Sequence, residues 1–262
     1  MQVIQWPQLL DNALPLGERH SAITVGVFDG VHRGHKALIK RVVAHDAVPV
    51  VVTFKQSHHK KNHEREYPGN ILSFRQKMAA FDSLGISITV VIEFSDSFRH
   101  MRGTDFLRIL REQGKMSFLA VGSNFRCGYR LDTDALALQN LSADWNIPVV
   151  IVPVLTEGGM QISSSQIRGA IIRGDLKVAA AMLGSPFTLD LAGASVFPAG
   201  SAYDLSGQGR VLPPSGRYAV CLLGEKEGKI VKTQGQILIE GERIIIDKSA
   251  AEGRFDYIEF PP

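Results

Sequence analysis

Cysteine is scarce in this sequence. Cys127 and Cys221 are the only two, and neither has neighbours at metal-ligand spacing. That excludes a disulfide framework and a cysteine-built zinc module. No apolar run reaches the ~20 residues that a membrane-spanning helix needs. The opening MQVIQWPQLLDNALP has no basic start followed by an apolar core, so it does not read as a signal peptide. There is no sustained basic block either: Lys60-Lys61 is the densest pair, and the net charge is only +3. Such a balance suits small anionic substrates without calling for nucleic acid. Repeats and low-complexity tracts are missing. A cytoplasmic protein with small-molecule substrates, no nucleic acid and no membrane is expected.

What is present is enough apolar residue for a packed core, 45% of 262 positions, which suits one large or two modest domains. One stretch organises the rest: Thr24-Val25-Gly26-Val27-Phe28-Asp29-Gly30-Val31-His32-Arg33-Gly34-His35. A β-branched run, Ile23 to Val27, enters it. Leu38, Ile39, Val42 and Val43 leave it at helical spacing. Glycines 26, 30 and 34 let backbone turn sharply and come close to a ligand. A helix start supplies unpaired N–H groups and the positive end of a dipole, which suits phosphate. His32 and His35 add donors that can follow developing charge. The dinucleotide-binding G-x-G-x-x-G spacing is absent. The plainer reading, a turn with solvated histidines, leaves the glycines, acid and imidazoles without a joint use.

Downstream, strands and helices alternate. Strands are expected near Ile23–Val27, Val48–Phe54, Ile88–Ile92, Phe118–Val121 and Val149–Val154, and helices near His35–His45, Ser73–Leu84, Thr104–Gly114 and Asp134–Trp145. This predicts an α/β fold, a parallel sheet with helices on both faces. Ligands bind such sheets outside the strands' carboxyl ends, so the glycine–histidine turn, Phe54 and the Asn124 loop (Gly122 to Gly128) should converge. Residues 1–20 read as a polar lead-in with a short helical piece around Trp6 to Leu10. Lys55 to Asn70, with His58, His59, Lys60, Lys61, His63 and Arg65, reads as a polar loop or a substrate lid; no carboxylate or cysteine completes a metal site there. Ser163, Ser164 and Ser165 precede Ile167 as a helix N-cap. They place Arg168 in the first turn, where it is either a surface cation or the partner of a bound polyphosphate. After Pro186 short β-like runs take over: Thr188–Leu191, Tyr218–Leu223, Ile230–Thr233, Gln236–Glu240, Arg243–Asp247 and Tyr257–Phe260, with a hairpin signal at Glu240-Gly241-Glu242. Two domains are expected, 1–186 with the parallel sheet and 187–262 a small all-β, barrel-like one.

H-x-G-H after a strand and at a helix start resembles the signature of nucleotidyltransferases that move a nucleoside monophosphate from a triphosphate. The set GVFDGVHRGH, VVTF, VGSNFRCG, ISSSQIR and GDLKVAAAMLG, in this order, is similar to the bacterial bifunctional riboflavin kinase/FMN adenylyltransferase (FAD synthetase) family over about residues 20–186. The resemblance implies a Rossmann-like nucleotidyltransferase fold and transfer of AMP from ATP to FMN, giving FAD and pyrophosphate, with magnesium. It implies ATP contacts from Gly26, Phe28, Asp29, Gly30, His32, Gly34, His35, Ser163, Ser164 and Arg168, flavin contacts from Phe54, Asn124 and Phe125, and catalytic roles for His32, His35, Asn124 and Arg168. No residue is assigned as a metal ligand; Asp29 orients the turn or meets a magnesium-bound water. Phe28 and Phe54 are either substrate-facing or core.

Departures accompany the match. Where the family continues after V-T-F with an acidic residue and Pro-His-Pro, this chain has Lys55-Gln56-Ser57-His58. Cys127 replaces the usual aromatic, as either a reactive thiol or a small apolar filler. The kinase half's Pro-Thr-Ala-Asn occurs nowhere; Pro198 to Leu205 stands in its place, although Leu212-Pro213-Pro214-Ser215-Gly216-Arg217-Tyr218-Ala219 still resembles L-x-P-x-G-x-Y-A. A kinase-like barrel without its active site is expected, on an enzyme that makes FAD and does not phosphorylate riboflavin. Two other readings remain open: an adenylyltransferase for another phosphorylated acceptor, and a non-catalytic flavin-binding or regulatory protein.

Overall fold

A computed structural model describes residues 1–55, 68–197, 202–226, 229–247 and 254–261. Most of the polar segment after Lys55, with its histidines, and Pro198 to Ser201 lie outside the described residues. The chain divides into two units. One comprises Met1–Phe28, Gly34–Ser57 and Met78–Leu155, the other Asp29–Arg33, His58–Lys77 and Thr156–Pro262.

The first unit is built on a six-stranded parallel sheet. In space its strands run Gln2–Gln5, Ile88–Glu93, Val48–Lys55, Ser21–Val25, Met116–Gly122 and Val149–Val152. Ser21–Val25 is buried at every position, and Val50, Val51 and Val52 are fully enclosed. Continuous burial, rather than alternation, is what a parallel strand covered on both faces requires. One cluster formed by Ile23, Val25, Val50, Val52, Val90, Ile92, Leu107, Leu110, Leu119 and Val121 makes the centre of its core.

From Ser21–Val25 the chain steps outward to Val48–Lys55 and Ile88–Glu93, then crosses to Met116–Gly122 on the other side. The order therefore reverses beside Ser21–Val25, and the crevice outside the strand ends at such a reversal is where ligands bind. Gly26, Phe54 and the loop after Gly122 all leave adjacent strands at their carboxyl ends, as expected.

The lead-in needs correcting. Gln2–Gln5 is a strand, paired in parallel with Ile88–Val91, and it forms the sheet edge. Only Ile4 of its four residues is buried, too little for a recognisable pattern. Trp6–Asn12 follows as a helix capped by Gln5 and Gln8. The helix expected from Thr104 runs Gly103–Glu112, with Arg102 before it. The helix after the glycine–histidine turn spans Arg33–Val43 and buries Leu38, Ile39 and Val42.

The second unit holds two helices, Ser164–Arg173 and Leu176–Leu183, each stopped by a left-handed glycine, Gly174 (φ 81°) and Gly184 (φ 72°). A small hairpin, Thr156–Glu157 with Met160–Gln161, precedes them. The rest is a seven-stranded antiparallel sheet in the order Phe187–Asp190, Tyr257–Phe260, Gly216–Lys226, Lys229–Glu240, Arg243–Ile246, Ala202–Asp204 and Ser195–Val196. Ile237, Ile239, Ile244 and Ile246 put their side chains in its core at the two-residue period of a strand. The two runs expected at Ile230–Thr233 and Gln236–Glu240 are one strand: Gln234 and Gly235 stay in register opposite Cys221 and Val220. The sheet is the barrel-like β domain expected, open between Phe187–Asp190 and Ser195–Val196 among the described residues.

Candidate active site

The turn after the central strand is strained. Phe28 (φ 53°), Gly30 (φ 87°) and Val31 (φ 40°) all adopt left-handed backbone within four residues. For an aromatic and a β-branched residue this costs about 1–3 kcal/mol each, and such strain gathers at functional sites. The fully buried Phe28 ring anchors one end. It packs edge-on against His35, with centroids 5.0 Å apart, and against Phe81 at 5.5 Å. Phe28 is thus a support beneath His35 rather than an open face for a base. Gly26 donates its N–H to the Val52 carbonyl at 3.1 Å, and Thr53 Oγ1 donates to the Val27 carbonyl at 3.1 Å. Gly30 has little choice of side chain: a Cβ there would stand 3.2 Å from Ile71 Cδ1 and 3.3 Å from Leu183 Cδ2.

The helix that follows begins at Arg33, with Gly34 and His35 in its first turn and no acidic residue there to answer its dipole. A helix start turns backbone N–H groups and the positive end of its dipole toward what precedes it, which suits an anion. His32, just before it, is 6% exposed.

In the second unit Asp29 is the hub. Its carboxylate, 3% exposed, accepts the N–H groups of Ile71 (3.0 Å) and Leu72 (3.3 Å) on Oδ1 and Arg168 Nε (3.3 Å) on Oδ2. Its carbonyl accepts the Ser164 hydroxyl at 2.7 Å. Burial pushes the Asp29 carboxyl above its ordinary value, against the opposing pull of the Leu72 and Ile71 amides and the Arg168 charge. Ser163 is the N-cap of its helix, accepting the Gln166 N–H at 3.3 Å. Both serine hydroxyls thus have protein partners. With the helix starting at Ser164, Arg168 falls in the second turn, one turn deeper than the capping pattern predicted.

Two residues of this region were not legible in the sequence. Lys77 is 6% exposed, and burial lowers its ammonium to about 8, with the Asp29 charge opposing. A lone lysine in a helix reads as a solvent residue, and nothing in the pattern marks it otherwise. Arg33 donates Nη1 to the Glu157 carboxylate and to the Ala181 carbonyl (3.2 Å).

In the first unit Phe54 is half-buried and stacks on Phe94, with centroids 4.8 Å apart and planes 15° from parallel. Phe94 itself is 51% exposed. An aromatic pair with one open ring at a strand end is a surface a planar heterocycle can extend. Asn124 is exposed in the turn after Gly122, while Phe125 packs against the core. Cys127 also packs there, and burial pushes its thiol up to about 12, with Asp132 adding to the effect. It packs as an apolar filler would, and the raised value disfavours the thiolate that a reactive cysteine needs. Among the described residues no three His, Cys, Asp or Glu side chains gather as a metal site.

A parallel sheet whose order reverses beside a strand that ends in a glycine-rich turn is the frame of a nucleotide-binding α/β protein. The FAD synthetase family model matches residues 15–166, and the chain belongs to that family. Among curated relatives, the bifunctional riboflavin kinase/FMN adenylyltransferase of Escherichia coli K12 is 29% identical over 215 residues, covering 77% of this chain and 68% of that protein. A FAD synthetase from Listeria monocytogenes is 27% identical over 173 residues, 64% of this chain and 70% of its own. A crystal structure described as a macrolide-efflux protein from Streptococcus pneumoniae superposes with a TM-score of 0.78 at 22% identity, covering 99% of this chain and 89% of that one. At that identity it shows the shared fold alone.

Proposed function

We propose that this protein carries out adenylyl transfer from ATP to FMN with the residues named above, and that it has no riboflavin kinase activity. The observation that supports the reading is the stretch from Gly26 to His35, where left-handed backbone at Phe28, Gly30 and Val31 leads into the start of a helix and the sequence supplies two histidines three residues apart. A phosphate oxygen of FMN attacks the α-phosphorus of ATP; the bond from that phosphorus to the bridging oxygen breaks, and pyrophosphate leaves. The attacking phosphate is already an anion, so no general base is needed. The protein's work is alignment and charge stabilisation.

In this reading the helix N-terminus at Gly34 and the imidazoles of His32 and His35 meet the charge that develops on the transferring group. Arg168, oriented through Asp29, answers the β- and γ-phosphates. Ser164 acts by fixing the Asp29 carbonyl, and Ser163 by starting the helix that carries Arg168. Asn124 positions substrate through its amide, and Phe54, extended by Phe94, offers the stacking face for the flavin, with Phe125 behind it. Magnesium would supply charge neutralisation on the triphosphate. The described residues do not form a cage for it, and the Asp29 carboxylate is committed to Ile71, Leu72 and Arg168, so no residue is assigned as its ligand. Residues 1–186 would then be the adenylyltransferase domain and 187–262 a β domain without kinase chemistry, in a cytoplasmic enzyme.

The test is to supply the purified protein with ATP and magnesium plus either FMN or riboflavin, and to separate the flavins by chromatography. FMN should become FAD with one pyrophosphate released for each, and riboflavin should remain riboflavin. Appearance of FMN from riboflavin would overturn the second half of the proposal.

A further inference from the structure

Asp190 ends the first strand of the antiparallel sheet, and its side chain is completely buried. A carboxylate so placed needs full compensation. It takes one bond from its own turn, the Ala192 N–H at 2.8 Å. The others come from the segment at the start of the helix Phe74–Ser83: the Ser73 hydroxyl, Arg75 Nη2 at 2.6 Å and Arg75 Nε at 3.3 Å. Gln76 Nε2 adds a bond to the Thr188 carbonyl at 2.8 Å on the same strand. The other end of the segment is tied as well. Asn70 donates its N–H to the Gly209 carbonyl at 2.7 Å and accepts the Val211 N–H at 3.1 Å. A Cβ at Gly69 would run into the Arg210 backbone.

Between these two anchorages lie Ile71 and Leu72, whose N–H groups hold Asp29 Oδ1, and Asp29 Oδ2 in turn holds Arg168. We infer that Asp190 is a positioning residue for the triphosphate end of the site: through Ser73 and Arg75 the β domain sets the two amides that place Asp29 and Arg168. On this inference the C-terminal sheet, lacking kinase chemistry, is retained as the outer support of the adenylyl-transfer machinery. The inference rests on the function proposed above for Arg168, but its readout is nucleotide affinity as well as turnover.

The test uses the full chain, with ATP titrated in the absence of FMN, steady-state constants for both substrates, and melting temperature. Asp190→Asn should weaken ATP binding and raise its KM by about tenfold, the effect of losing a charge-assisted hydrogen bond, with the FMN KM within about twofold of wild type. Arg75→Gln, at a half-exposed position, should move ATP in the same direction by about threefold. Ile239→Ala is the control: it empties part of the same sheet's core without touching the link, so it should lower the melting temperature and leave ATP affinity alone. If Asp190→Asn fails to fold, Arg75→Gln decides. ATP affinity unchanged in the folded link variants, or weakened equally in Ile239→Ala, would overturn the inference. A wild-type protein that binds ATP and forms no FAD would instead count against the proposed function, with the titration still reading the link.

Discussion

Arg168 Nε stands 3.3 Å from Asp29 Oδ2, an arginine 17% exposed against a carboxylate 3% exposed. The arginine is therefore aimed by the same turn that carries the two histidines in sequence. Arg168→Met would strand a buried carboxylate, at a cost of about 3–5 kcal/mol in unfolding free energy. Arg168→Lys keeps the charge and loses the planar Nε geometry, so it should cost less stability while raising the KM for ATP about tenfold. Urea unfolding and ATP-dependent FAD formation, measured on both variants, check the two halves of this expectation.

Gly30 combines a φ of 87° with neighbours 3.2 and 3.3 Å from where a Cβ would sit. Gly30→Ala meets strain in backbone and side chain together, and a loss of about 1–3 kcal/mol is expected. Because Ile71, one of the two crowding residues, also supplies an amide to Asp29, FAD formation should fall further than stability alone explains. Comparing turnover well below the variant's melting temperature separates the two effects.

Lys77 gives a pH dependence. Its ammonium titrates at about 8 in the folded protein, against about 10.4 in an unfolded chain. Between those values the unfolded state holds more protons, so stability rises with pH across the window, by up to about 3 kcal/mol. Below about pH 8 both states are protonated and the contribution is flat. Lys77→Met removes this titration, so the stability of wild type relative to the variant should rise by up to about 3 kcal/mol between pH ~8 and pH ~10. Urea unfolding of both proteins at the two pH values reads the difference; parallel pH profiles would contradict it.

The strands legible in the sequence were those whose burial needs no partner to be recognised. Val48 to Val52 is apolar on both faces because both faces are covered, and Gly174, Gly184 and Gly241 mark ends where only left-handed backbone fits. Ser73 and Gln76 cap the helix expected from Ser73 with reciprocal bonds of 2.9 Å, at the three-residue spacing a capping box requires. Gln2–Gln5 was not legible, since an edge strand of four residues buries one side chain. Gly235 read as a break because glycine weakens an isolated strand, yet pairing with Val220 carries it through. At the site, the sequence presented three serines before Ile167 without distinguishing the cap from the one that holds Asp29. Lys77 and Phe94 owe their interest to packing against residues distant in sequence, which no local pattern encodes.

The most direct measurement is the rate of FAD and pyrophosphate formation from FMN and ATP by the wild-type protein, His32→Ala and His35→Ala. The account predicts product from the wild type and a fall of about 10²-fold in each variant, the size of losing one donor to transition-state charge. No FAD from the wild type, or histidine variants as fast as it, would contradict the account.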